Sequence, residues 1–279
     1  MKLQNLHTHT VFGDGKNTPE EMVQGAIRAG CSSLGFSEHS ELLPPHHPEG
    51  WAMTADAVPA YRKEIQRLKE AYQGTLEIFL GLELDFDTPP LTSPYDYLIG
   101  STHLVWKDGL YLSVDESPAA FAQSVREHFG GDSLAFVEAY YQREARVAEK
   151  TGCQIAGHFD LVTKFNEGGR FFDETHPRYI HASIEALESL LQQDVIFEIN
   201  TGAISRGYRT SPYPSPFLLK ALCKRGGRIC VTSDSHSAET ITFAFPQAVE
   251  LARSCGFREV WVLTQNGFQA ASLSEFSEG

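Results

Sequence analysis

The sequence predicts an α/β barrel related to the TIM barrel, and three observations carry that prediction. Strand-like and helix-like runs alternate along the whole of the 279 residues, the order expected of parallel strands joined by crossover helices. Seven or eight such units fit a chain of this length. Residues of metal-ligating type follow nearly every strand-like run, so they would meet at the C-terminal ends of the strands. In a doubly wound open sheet, the competing topology, they would gather at one switch point instead.

The strand-like runs are 3–6, followed by His7-Thr8-His9; 33–36, followed by Glu38-His39; and 77–82, followed by Glu83. Then come 97–100 with His103, 154–157 with His158, 195–199, and 228–232 with Asp234-Ser235-His236. Residues 259–263 form a candidate last strand. Thr18-Pro19-Glu20-Glu21 reads as a helix start, with a hydroxyl N-cap, proline at the first position and an acid at the third. Gly30 suits the residue just past that helix. A second helix starts near Asp56, leaves Pro59 in its first turn, and puts Tyr61, Ile65, Leu68 and Tyr72 on one face. Ser117-Pro118 opens a third, and a long run from Ser133 to about Lys150 follows. Pro177–Gln192, Pro214–Arg225 and Ala238–Ser254 complete the set, the last closed by Gly256. The apolar spacing in all of them reads as core packing. The stretch from Ser40 to about Met53, rich in Pro and His, is expected to loop over the barrel mouth. No internal repeat, low-complexity tract or linker divides the chain, so 1–279 reads as a single domain.

The formal net charge of −13 argues against a surface that coats nucleic acid or an anionic membrane. It allows a small anionic substrate, because bound metals reverse the local sign within a pocket. The N-terminus carries no apolar signal core, and no stretch approaches a membrane span. The five cysteines, Cys31, Cys153, Cys223, Cys230 and Cys255, are odd in number, dispersed and without a C-x-x-C pair. Reduced thiols in a cytoplasmic protein are expected. The partner expected is a small molecule, neither nucleic acid nor membrane, and self-association into a homo-oligomer is left open.

Side chains alternate along a strand, so His7 and His9 leave theirs on one face. Asp234 and His236 repeat that geometry near the other end of the chain, and Glu83 adds a further carboxylate. Imidazoles and carboxylates in this number point to a cluster of divalent metals.

The order His7-x-His9, Glu38-His39, Gly81-Leu82-Glu83, Gly100-Ser101-Thr102-His103, Gly157-His158-Phe159-Asp160 and Ser233-Asp234-Ser235-His236 resembles the PHP (polymerase and histidinol phosphatase) superfamily. Finer wording is similar to its monofunctional histidinol-phosphate phosphatases. It comprises Tyr95-Asp96-Tyr97-Leu98-Ile99-Gly100-Ser101, Phe129-Gly130-Gly131-Asp132, Glu198-Ile199-Asn200-Thr201 and Tyr213-Pro214-Ser215-Pro216. The likeness covers nearly the whole chain. It implies a distorted (β/α)7 barrel with the metal site at the C-terminal ends of the strands. Two or three divalent ions (Zn, Fe or Mn) are implied as cofactors. The first would take His7, His9, Glu83 and Asp234. The second would share Glu83 and add His103 and His158. The third would take His39 and His236, with Asp14 in Gly13-Asp14-Gly15 as a further ligand.

The implied activity is hydrolysis of L-histidinol phosphate to L-histidinol and phosphate, a step of histidine biosynthesis. A hydroxide bridging the metals would attack phosphorus in line, with no covalent phospho-enzyme. Asp234, His236 and Asp160 are the candidate proton carriers for the leaving oxygen. A phosphate also calls for a cationic clamp. Lys164 lies six residues past His158, and Arg206 and Arg209 lie in the loop after Glu198–Thr201, where the family usually places a basic residue. Arginine suits that role because its fork binds two oxygens at once. His46 and His47 are candidates for the mouth, while His128, His176 and His181 fall on or beside helices and receive no role. Two other readings stand beside this one. One is a PHP phosphoesterase acting on a nucleotide or another small phosphomonoester; the other is a non-enzymatic metal-binding module.

Overall fold

The computed structural model describes residues 3–41 and 51–276. Seven strands pair in one all-parallel sheet. It begins with β1 (Leu3–Asn5), β2 (Cys31–Phe36), β3 (Glu77–Asp85) and β4 (Tyr97–Ser101). A separate antiparallel hairpin follows, β5 (Leu104–Lys107) with β6 (Leu110–Ser113). The sheet then continues through β7 (Ile155–Ala156), β8 (Ile196–Asn200) and β9 (Arg228–Thr232). Order in the sheet follows order in the chain. Strands covered on both faces read as continuous apolar runs, and all five residues of β8 are buried.

The ends of the sheet meet in two ways. Near the ligands, Thr8 and Ser235 bridge in parallel: His9 N–H donates to Ser235 O at 2.9 Å, and Ser235 N–H donates to His7 O at 3.0 Å. At the other end, the Gln4 side-chain amide replaces a backbone ladder. Its Nε2 donates to Leu263 O at 2.9 Å, and Leu263 N–H donates to its Oε1 at 2.8 Å. Leu263 belongs to β10 (Glu259–Thr264), the candidate last strand, which is not an eighth barrel strand. It pairs antiparallel with β11 (Gly267–Ser272).

Ten helices surround this frame among the described residues: α1 (Pro19–Arg28), α2 (Val58–Ala71), α3 (Pro118–His128), α4 (Ser133–Glu144), α5 (Val147–Thr151), α6 (Pro177–Leu191), α7 (Gly202–Ser205), α8 (Pro216–Lys224), α9 (Phe245–Ser254) and α10 (Leu273–Phe276). α1 carries the expected reciprocal cap between Thr18 and Glu21, worth about 1 kcal/mol. Tyr61, Ile65 and Leu68 of α2 are buried, as their spacing predicts. The run after Ser133 is two helices, broken at Ala145–Arg146. α8 begins at Pro216 and α9 at Phe245, both later than expected. Pro216 and Pro246 lack the N–H that a helix interior needs, so each is confined to a first turn. The hairpin β5–β6 is not apparent in the sequence pattern. All five cysteines are free, and no helix among the described residues is long and apolar enough to cross a membrane. His46 and His47 lie outside the described residues.

Candidate metal centre

The strand ends bring every expected ligand to one place. His7 and His9 flank the bridging residue Thr8, so β1's end delivers two imidazoles to the same side. The bridge His39–Glu83 does the same for the ends of β2 and β3. Glu83 stands at the centre. Its Oε2 is 3.2 Å from His7 Nε2, 3.5 Å from His9 Nε2 and 2.9 Å from His39 Nδ1. Its Oε1 is 3.0 Å from His158 Nε2 and 3.6 Å from His103 Nε2. Asp234 Oδ1 lies 3.4 Å from His9 Nε2 and 3.7 Å from His7 Nε2. Asp14 Oδ2 lies 3.2 Å from His236 Nε2, and its Oδ1 is 4.0 Å from His39 Nε2.

Four groupings there are tight enough to hold a cation: His7, His9 and Asp234; His7, Glu83 and His158; His39, Glu83 and His103; and His9, Asp14, His39 and His236. The last takes in His9 beyond the set expected from the sequence. His7 Nε2, both ring nitrogens of His9, His158 Nδ1 and Glu83 Oε2 are buried and make no hydrogen bond. Leaving that many donors and acceptors unsatisfied in the interior costs on the order of 1–3 kcal/mol apiece. Divalent cations on His7 Nε2, a ring nitrogen of His9 and Glu83 Oε2 remove that cost for those atoms, so this donor set fits metal ions.

The electrostatics follow from crowding. Burial drives the His9 imidazole down to about 3, and neighbouring His236 and His39 act the same way. For His7 burial is outweighed by Glu198, Glu83 and Asp234, which hold it well above the ordinary value. Glu83 is buried too, yet His39 and His7 keep it well below the usual carboxylate range. Asp234 is held low against burial by Arg206 and His7. A cation held here would take over the role of these protons.

Two supporting carboxylates are not apparent from strand-end position. Glu198 accepts from His7 Nδ1 at 2.9 Å, which turns Nε2 toward the centre. It is fixed by His158 N–H at 2.6 Å, Asn200 Nδ2 at 2.7 Å and Thr232 Oγ1 at 2.8 Å. Asp85 accepts from His103 Nδ1 at 3.1 Å and from its backbone N–H at 3.0 Å. Such partners select the tautomer of a ligating imidazole.

Beside the cluster opens a cavity of about 500 Å³, lined by Asp14, His39, Trp51, His103, Asp115, Glu116, His158, Lys164, Arg206, Tyr208, Asp234 and His236 among others. Trp51 meets His39 edge-on at 4.9 Å. Arg206 points in, and its Nη2 bonds Asp234 Oδ2 at 2.8 Å. Lys164 also lines the cavity, with Nζ on the Asp115 carboxylate at 3.0 Å and on its carbonyl at 2.9 Å.

Of the residues expected to act on the substrate, Arg209 and Asp160 do not line this cavity. The Arg209 guanidinium donates to Thr163 and lies 5.2 Å over the Tyr213 ring. Its Nη groups bond Thr163 and Ser211 in the wall. Asp160 is fully buried and accepts from Ser215 N–H at 2.9 Å. Burial raises its carboxyl to about 6, with Arg209 and that N–H pulling the other way. There it anchors the loop that leads into α8.

Comparison with known proteins bears on this geometry. The family model described as PHP domain matches residues 5–202. The match ends ahead of Asp234 and His236, which β9 returns to the cluster. A Deinococcus radiodurans protein named "Probable histidinol-phosphatase" is 30% identical over 272 residues, 92% of this chain and 95% of the relative. The "Histidinol-phosphatase" of Bacillus subtilis is 26% identical over 90% of this chain and 99% of its own length. Among solved structures, a histidinol phosphate phosphatase of Lactococcus lactis, in complex with zinc, L-histidinol and phosphate, superposes with a TM-score of 0.72 at 21% identity, covering 96% of this chain and 99% of that one. A Listeria monocytogenes chain gives a TM-score of 0.74 at 20% identity, over 88% and 99%. These two share the fold.

Proposed function

This chain belongs to the PHP domain family, and from that premise we propose that it is a metal-dependent phosphatase hydrolysing histidinol phosphate to L-histidinol and phosphate. The observation that carries this reading is the cluster itself. Glu83 is shared among His7, His9, His39, His103 and His158, with buried nitrogens left free of hydrogen bonds.

Divalent ions bound there would supply hydroxide at neutral pH and neutralise charge on the phosphoryl oxygens. We assign His7, His9, Glu83 and Asp234 to one ion, Glu83, His103 and His158 to a second, and Asp14, His39 and His236 to a third. Zn, Fe and Mn all suit imidazole and carboxylate donors, and supply decides among them.

The chain's own residues do the rest. Arg206 faces the cavity beside Asp234 and offers its guanidinium to the phosphoryl group. His236 lies on the same wall, within the ligand set of the third ion. In the loop after β6, burial would raise the Asp115 carboxyl, but Lys164 and then His103 hold it at about 2. It is therefore an anion at neutral pH. Asp115 and Glu116 suit the amine and imidazole of histidinol, and Trp51 and Tyr208 offer aromatic surface to its ring. The same acidic wall opposes a nucleotide, which would bring further negative charge to it.

The test is kcat/KM for histidinol phosphate against p-nitrophenyl phosphate, glycerol phosphate and nucleoside monophosphates. Histidinol phosphate should lead clearly. Comparable values across the panel would reject this substrate and leave a general phosphomonoesterase.

A further inference from the structure

Glu38 is buried without exposure beside His39, yet the chemistry above gives it no part. Its backbone lies in the β2–β3 ladder, where Glu83 N–H donates to Glu38 O at 3.0 Å. Its side chain reaches the opposite way, to the end of β1. Oε1 accepts from both donors of Thr10, from N–H at 2.8 Å and from Oγ1 at 2.6 Å.

Thr10 in turn organises the segment that carries Asp14. Its carbonyl accepts from Gly13 N–H and Gly15 N–H, both at 3.0 Å, and its Oγ1 accepts from Phe12 N–H at 3.3 Å. The packing leaves no slack. A Cβ at Gly13 would stand 2.9 Å from Glu38 Oε2, and one at Gly15 would stand 2.4 Å from the His9 carbonyl. Just past the turn, Lys16 N–H donates to His236 O at 2.8 Å. The turn is thus pinned to the ends of β1, β2 and β9 together. Asp14 sits on it with Oδ2 3.2 Å from His236 Nε2.

We infer that Glu38 is a positioning residue: by holding Thr10 it fixes the turn that presents Asp14 to His39 and His236, and so completes one ion site. The inference rests on reading the cluster as a metal centre. Glu38 touches neither the ion nor the substrate. Its contribution is an acceptor oxygen at a fixed place, and an amide oxygen at that place serves equally.

The test is ions per chain by element analysis, with graded chelator, on the wild type, Glu38→Ala, Glu38→Gln, Asp14→Asn and the Glu38→Ala, Asp14→Asn double variant. Thermal unfolding on each preparation monitors the fold. Glu38→Ala and Asp14→Asn should each hold one ion fewer than the wild type, or release it at a chelator concentration about 10- to 100-fold lower. The double variant should lose no further ion, because both changes act on one site. Glu38→Gln should stay close to the wild type. A Glu38→Ala protein with the full complement of ions held as tightly as in the wild type would overturn the inference. Glu38→Gln losing ions as Glu38→Ala does would also overturn it. If Glu38→Ala does not fold, the Glu38→Gln and Asp14→Asn pair decides: equal losses in the two contradict the inference. A wild type that holds no divalent ion would sink the metal reading first, an outcome distinct from these.

Discussion

Arg206 holds Asp234 at two points: Nη2 lies 2.8 Å from the carboxylate Oδ2, and Nη1 donates to the backbone carbonyl at 2.9 Å. The other oxygen, Oδ1, is left facing His9 and His7. Asp234 needs such support, because its φ of +46° is in the left-handed region, which costs a non-glycine residue about 1–2 kcal/mol. The arginine proposed to face the phosphate therefore also aims a proposed metal ligand.

Arg206→Ala should consequently do more than remove a cation. A loss of about 10- to 1,000-fold in kcat/KM is expected for one charged transition-state contact. Ions near Asp234 should also be held less tightly, as read by chelator titration. Arg206→Lys should recover part of each, since an ammonium cannot span both oxygens. Wild-type kcat/KM in Arg206→Ala would move the clamp to Lys164.

Glu198→Gln tests the support behind His7. The carboxylate accepts from His7 Nδ1 and keeps Nε2 turned to the centre. An amide there can present its NH₂ group and favour the wrong tautomer. Metal affinity or activity should fall by about 10- to 100-fold, measured by chelator competition, with the fold retained.

A further prediction concerns stability alone. Glu144 on α4 is fully buried. Burial raises its carboxyl from 4.5 to about 8, opposed by Thr102 and His103. The folded state thus keeps a proton that the unfolded state gives up between about pH 4.5 and 8. Wild-type stability should fall across that window, by up to about 1.4 kcal/mol per pH unit from this group. Glu144→Gln removes that dependence. Denaturant unfolding of both proteins from pH 5 to 9 should show curves that diverge as pH rises, with the variant the more stable at the alkaline end. Parallel curves would contradict the assignment.

Asp115→Asn probes the acidic wall of the cavity. It should lower kcat/KM for histidinol phosphate at least tenfold while changing glycerol phosphate little, because the lost charge faces the cationic end. Equal losses on both substrates would place Asp115 in support of Lys164 alone, through the contact at 3.0 Å.

The seven barrel strands are legible because parallel strands buried on both faces become apolar runs, and six of the seven runs are followed by a residue of ligating type. Eight of the nine expected ligands follow those runs, while Asp14 lies in a turn and is legible only through the family resemblance. What escapes the sequence is direction. Glu198 and Asp85 lie within or at the end of strands, and nothing local says that they turn toward imidazoles. Arg209 and Asp160 sit in the right loops but face the wall, a choice made by Thr163, Tyr213 and Ser215, remote in sequence from at least one of the two. β10 reads as an apolar run like a barrel strand, yet Gly267 lets the chain fold back with a φ of +90° and pair it with β11. The late start of α9 was the most readable miss, since Pro246 could belong only to a first turn.

Phosphate release from histidinol phosphate tests the central claim most directly. It should be followed on one preparation as purified, after removal of its ions by chelation, and after return of Zn or Mn, with element analysis at each stage. Activity should fall as the ions leave and return with them, and His7→Ala, His9→Ala protein should neither hold the full complement nor turn over. Full activity in protein free of divalent ions, or an ion-loaded protein inert on histidinol phosphate, would contradict it.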